Sequence, residues 1–198
     1  MFRVVRTRVA ATVFVVFVAA SAFGCSQSGG YIAGTDVKTY AGADARPGQL
    51  INFGFVIDPS HDATVHLLDV RPLGVPESIE IVSVWADNLA AGNDAVGVLR
   101  GDLPALYPNV FQKRSIGEAT LIGSGPRTWQ VIVTIRSLAL GHHEIEALVV
   151  TYEVGERRFE ETLPYRFAID VIDCERTPQS SSVCSGEPEP PITATPPR

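Results

Sequence analysis

Methionine occurs once in this 198-residue chain, as the initiator, and lysine only twice beside 14 arginines. A blue-copper site needs a Met-type axial ligand beside Cys and His, so the chain lacks the parts for one. No cluster of basic residues occurs, which removes the electrostatic footprint of a nucleic-acid binder. Gly-rich phosphate loops, C-x-x-C pairs and H-E-x-x-H motifs are all absent, and with them the chemistries those motifs serve. Ser124 in Gly123-Ser124-Gly125 comes nearest to a nucleophile elbow. Ile122 stands where G-x-S-x-G requires glycine, and Pro126 follows where a helix should begin. No ten-residue stretch carries a helical apolar stripe with caps.

Charge is also missing from one long stretch near the start. Arg3, Arg6 and Arg8 are followed by Val9 to Gly24, 16 residues without a charge. That run is short for a bilayer helix, which needs about 20 apolar residues. Its length and basic flank fit a secretory signal peptide over residues 1–24. The run ends Ala22-Phe23-Gly24-Cys25. This layout resembles the signal peptide of a bacterial lipoprotein, although Ala22 and Phe23 stand where that pattern has Leu and a small residue. The resemblance covers residues 1–25 and implies cleavage before Cys25, lipidation of Cys25, and anchoring at the outer face of the cytoplasmic membrane. Two or more acyl chains hold a protein stably on a bilayer. Cleavage without lipidation would release a secreted domain instead. Ser26 to Gly30 reads as a flexible tether.

Without residues 1–24, Lys+Arg falls from 16 to 13 against 22 acidic residues, a net charge of −9. Such a surface repels nucleic acid and favours solubility. The remaining length suits one domain with a real core, over residues 31–175. Ser185 to Arg198 is rich in proline and poor in bulky apolar residues, so 176–198 reads as a disordered tail. With Cys25 lipidated, Cys174 and Cys184 remain as an even pair, and an oxidising compartment would join them. The short loop they close predicts a stabilisation of about 2–3 kcal/mol.

The domain itself reads as strands. Ile51, Phe53, Phe55 and Ile57 alternate with Asn52, Gly54 and Asp58. Thr64 to Arg71 follows, closed by Pro72. Ile79, Ile81, Ser83 and Trp85 alternate with Glu80, Val82 and Val84. Trp129, Val131, Val133 and Ile135 alternate with Gln130, Thr134 and Arg136. Ile145 to Val154 is apolar on both faces, turns at Gly155-Glu156 and returns along Arg157 to Val171, with a break at Pro164. Seven to nine short strands with frequent turn signals predict an all-β, immunoglobulin-like antiparallel sandwich, with a β-barrel as the competing architecture. Trp85 and Trp129 are expected to fill the space between two sheets. Asp87 to Gly125 is the least regular region, with short strands expected near Phe111 and Ala119 to Ile122. It reads as a crossover between sheets, or as a binding loop.

Candidate chemistry is sparse. His142 and His143 point to opposite faces of a strand and cannot share a metal. His142, Glu144 and Glu146 share one face at i, i+2 and i+4, and with His61 or His66 they form a weak metal-ligand set. Glu160 and Glu161 face opposite sides, unlike a glycosidase pair. Tyr31, Tyr40, Tyr107, Tyr152 and Tyr165 either edge the core or form an exposed patch. The expectation is a cell-envelope lipoprotein with a non-catalytic sandwich that takes no cofactor and binds another envelope protein or polymer. The partner would sit on a sheet edge or on the 87–125 loop. A metal-binding envelope protein is the alternative, and an uncharacterised hydrolase the third reading.

Overall fold

The computed structural model describes residues 30–33, 40–59, 62–89, 97–123, 129–176 and 182–185. Thirteen strands lie within them. The first eight are β1 (Ile32–Ala33), β2 (Tyr40–Ala45), β3 (Leu50–Val56), β4 (Asp58–Pro59), β5 (Thr64–Leu73), β6 (Ile79–Asn88), β7 (Val98–Arg100) and β8 (Thr120–Ile122). The last five are β9 (Trp129–Ser137), β10 (Gly141–Ile145), β11 (Ala147–Val154), β12 (Arg157–Leu163) and β13 (Arg166–Val171). One single-turn helix, α1 (Leu103–Leu106), lies between β7 and β8, and another, α2 (Ser182–Ser185), follows β13.

These strands build an all-β sandwich with no closed barrel. One layer is the sheet β6-β9-β3-β7. The other is made of two sheets, β12-β11-β5-β8 and β10-β13-β2. A single bent hairpin joins those two. β10 and β11 run on in one direction, and β12 and β13 return beside them, from Val154↔Arg157 to Gly141↔Val171. The ladder breaks at Glu146 on one side and at Pro164-Tyr165 on the other, where proline lacks the N–H a ladder needs. Across the break the flanking strand changes sides, from β5 beside the β11 arm to β2 beside the β13 arm. The β2–β13 pair is parallel, an exception in an otherwise antiparallel fold.

The inner faces close a continuous core. Ile51, Phe53, Phe55, Val131, Val133 and Ile135 of the first layer meet Leu67, Leu148, Val150, Phe159, Phe167 and Ile169 of the second. The Phe167 ring lies 4.6 Å from both Phe53 and Phe55, within the range where aromatic pairs attract beyond simple burial. Tyr152 and Tyr165 are part of this core, and the Tyr165 hydroxyl donates to the Val56 carbonyl at 3.1 Å.

Three sequence expectations need correction. Trp85 is buried but does not lie between the sheets. A register shift between Ile81 and Ser83 reverses the alternation of β6, so Val84 and Ala86 face the main core and Trp85 faces outward. Pro72 does not end β5, which runs to Leu73. β8 pairs only with Thr64 to His66, so at Pro72 the far edge of β5 has no partner strand to supply with an N–H. No strand forms at Phe111; Val98–Arg100 pairs with β3 instead.

Residues 97–123 form a crossover from the first layer to the second. After β7 the chain passes over the outer face of β6-β9-β3-β7, bridges Ala86 at Arg114 and continues into β8. Leu103 and Phe111 pack on Trp85 and Ile132, a second small core. A buried polar network lies beside it. Trp85 Nε1 donates to Thr134 Oγ1 (3.1 Å), and Thr134 donates to Asn52 Oδ1 (2.8 Å). Asn52 Nδ2 donates to the carbonyls of Leu99 (3.2 Å) and Gly101 (2.8 Å). Asp87 accepts from Gln130 Nε2 (2.9 Å) and from the Gln112 N–H (3.0 Å). These contacts satisfy groups that burial would otherwise penalise. At the end of the crossover Ser115 and Glu118 form a capping box, and the Ser115 N–H, more than Arg114, holds the Glu118 carboxyl below the usual carboxylate range.

Candidate functional site

The sandwich has two unlike poles. At one, the chain comes in through Gly30, Tyr31 and β1. The Gly30 N–H donates to Glu161 Oε1 at 2.6 Å, and the Tyr31 ring lies 5.2 Å from Phe159. Glu161 also accepts from the buried Tyr152 hydroxyl. Burial, reinforced by the Glu161 charge, pushes the Tyr152 phenol well above its ordinary value.

The opposite pole gathers the β9–β10 loop, the start of β6, the β2–β3 turn and the end of β13. Leu138 N–H donates to the Ser78 carbonyl (2.7 Å) and Gly48 N–H to the Ser137 carbonyl (2.9 Å). Leu138 and Leu140 are 57% and 50% exposed, the largest apolar exposures in this loop. The Cys174–Cys184 disulfide is formed here. It ties the turn after β13 to α2, where Val183 is buried and its carbonyl accepts from Arg46 Nε at 3.0 Å.

His143 sits at this pole on the same face of β10 as the core residue Ile145. Its Nδ1 lies 2.9 Å from Ser78 Oγ, and its Nε2 lies 2.9 Å from the Ala139 carbonyl. A carbonyl only accepts, so Nε2 carries the hydrogen. In the neutral ring Nδ1 is then the acceptor, and the Ser78 hydroxyl donates to it. Neither residue was identifiable as a pair in the sequence. They are 65 positions apart with no motif around either, and only the topology brings them together.

The expected metal-ligand set does not assemble. His142 does face away from His143, but its Nδ1 meets Asp170 Oδ1 at 2.8 Å. Glu144 Oε1 lies 2.6 Å from Arg166 Nη2, an ion pair whose angles fall short of a hydrogen bond. Glu146 is not in line with them, because β10 ends at Ile145 and the chain changes sheets. Its N–H donates to the Leu73 carbonyl at 3.0 Å and its side chain lies against Gly74. His66 contacts Thr120 at 3.1 Å, on the β5–β8 edge. Among the described residues, no three His, Cys, Asp or Glu side chains converge on a point that could hold a metal.

Glu160 pairs with Arg71 at 3.7 Å while Glu161 faces Tyr152, the opposite-sided arrangement expected of neighbours on a strand. Tyr107 packs on Phe111 under the crossover. Cys25, His61, Ser124, the side chain of Tyr40 and residues 186–198 lie outside the described residues. No described helix is long and apolar enough to cross a membrane.

No known protein family and no curated protein matches the chain. Among solved structures it resembles a Vibrio cholerae protease, VesB, at 10% identity and a TM-score of 0.38, covering 67% of this chain and 30% of that one. It also resembles a family 123 glycoside hydrolase from Clostridium perfringens that acts on glycolipid glycans, at 11% identity and a TM-score of 0.32, covering 68% and 23%. The chain thus spans less than a third of either protein, and at such TM-scores neither likeness bears on fold or activity.

Proposed function

We propose that this protein is a cell-envelope lipoprotein, held by lipid on Cys25, whose sandwich presents its far pole to another envelope component. The observation that carries the reading is the polarity of the fold. Gly30 is fixed by Glu161 only five residues after Cys25, so a lipid there lies at most roughly 17 Å along an extended chain from the domain. The loop with the two exposed leucines is at the opposite end. An anchored domain of this kind keeps its membrane end close and its far end free.

The partner then sits at neither place expected for it, a sheet edge or the 87–125 region. The described part of that region is committed to covering Trp85, Ile132 and the polar network. The test combines two variants. Cys25→Ser should move the protein from the membrane fraction to the soluble one, and the native Cys25 peptide should carry a diacylglyceryl mass. A photo-crosslinker at Leu138 or Leu140 should capture a discrete envelope partner, while one at Leu106 on the crossover should not. An unmodified Cys25 peptide sinks the anchor; equal capture at all three positions sinks the far-pole assignment.

A further inference from the structure

We propose that Ser78 and His143 form a nucleophile–base pair for acyl transfer, taking oxygen esters with an aliphatic acyl group. The inference does not rest on the lipid anchor.

The arrangement has the three parts that activate a serine. A hydroxyl and an imidazole nitrogen stand at 2.9 Å, and the ring's other nitrogen is held at 2.9 Å by a fixed acceptor, the Ala139 carbonyl. A nucleophile within hydrogen-bond reach of a base, itself oriented by a third group, is the geometric signature of covalent catalysis. The Ala139 carbonyl selects the ring form whose free lone pair faces Ser78. It also offers its dipole to the imidazolium that forms when the ring takes a proton, in the position a carboxylate occupies in a triad. A neutral carbonyl is the weaker partner of the two, so a slow enzyme is expected.

Other histidine contacts lack this set. His66 meets the Thr120 hydroxyl, but among the described residues its other ring nitrogen has no hydrogen-bond partner. His142 meets a carboxylate and no hydroxyl. Tyr152 is buried in the core and its partner Glu161 ties down the N-terminal segment.

The surroundings indicate the substrate class. Ser78 and His143 are both partly exposed, so a small ester reaches them without an opening step. Leu138 and Leu140 flank Ala139 and stay exposed. Apolar side chains beside the base favour an aliphatic acyl chain over a sugar or a charged group.

The chemistry balances with water alone. Ser78 Oγ bonds to the ester carbonyl carbon and passes its proton to His143 Nδ1. The tetrahedral adduct collapses, the ester C–O bond breaks, and the leaving alcohol takes that proton from Nδ1. Water then attacks the acyl-serine, gives a proton to Nδ1, and Ser78 leaves with it as the acid is released.

The test uses the full chain, purified in detergent, with a fluorophosphonate probe and p-nitrophenyl butyrate. The expected result is one covalent adduct on the Ser78 peptide and slow butyrate release. Ser78→Ala should abolish both, and His143→Gln should slow both by on the order of 100-fold or more. Thermal melts of the variants separate this from lost structure. An unlabelled Ser78 in the wild-type protein overturns the proposal even if a variant fails to fold. So does ester hydrolysis that survives in a folded Ser78→Ala protein.

Discussion

Replacing Asn52 with alanine tests whether the crossover seals the outer face of the first layer. Asn52 is buried and makes three hydrogen bonds, two given to the Leu99 and Gly101 carbonyls and one taken from Thr134. Asn52→Ala takes a donor from each of two carbonyls and the acceptor from the Thr134 hydroxyl proton, all under the crossover. At about 1 kcal/mol for each orphaned group, the loss is roughly 3 kcal/mol. For a domain of this size that lowers Tm by about 6–12 °C. Thr134→Val removes the hydroxyl and leaves Asn52 Oδ1 and Trp85 Nε1 unpaired, at about 1–3 kcal/mol. The double variant strands neither the Thr134 hydroxyl nor Asn52 Oδ1, so the two effects should fall short of additivity by about 2 kcal/mol. Urea unfolding followed by tryptophan emission measures all three, and Trp85 sits within the network as a reporter. A loss under about 1 kcal/mol for Asn52→Ala, with strict additivity, would mean that water replaces the bonds and that the face is not sealed.

Three further outcomes are expected. Cys174→Ser with Cys184→Ser should cost about 2–3 kcal/mol and make the segment around Val183 an early site of limited proteolysis; unchanged stability and cleavage would contradict its role as a staple. Gly74 has φ +70°, and a Cβ there would meet Glu146 Cγ at 2.6 Å. Gly74→Ala should therefore destabilise; adding Glu146→Ala should relieve the clash and leave the left-handed backbone term, about 1–2 kcal/mol, so full rescue would show that the backbone strain is absent. Tyr152 keeps its proton in the folded state above the pH where an unfolded tyrosine loses it, near 10.0. Its contribution is complete below that pH and declines as pH rises through and beyond it. Tyr152→Phe should flatten the alkaline part of a stability–pH profile, and a profile identical to the wild type would refute the burial of the phenol.

Much of the fold was legible because strands announce themselves by period two when one face is buried. β3, β9 and the β11–β12 hairpin follow their alternation, the hairpin turns at Gly155 as read, and Pro164 marks the break between β12 and β13. The failures come from features that local pattern does not reveal: a covering segment, a bulge and the meeting of distant loops. Asn52 and Thr134 alternate with the apolar face, and nothing in that pattern shows that the crossover buries them. Trp85 read as an inter-sheet filler because a bulge shifts parity without leaving a sequence mark. Ser78 and His143 carry no spacing signal; their proximity is a product of the β5–β6 turn meeting β10.

The parallel ladder between β2 and β13 sets an order of events for the growing chain. Tyr40 is partnered by Arg166 and Ala45 by Val171, so one of the earliest strands waits for the last. Ala41, Ala43 and Ala45, which belong against the core, gain their ladder partner only when β13 is present. Such long closures cost entropy before they return any contact energy, and they slow folding. For a chain made from its N-terminus, the strand that completes the sandwich is the last to appear, so the native ladder closes only once the whole domain has been made.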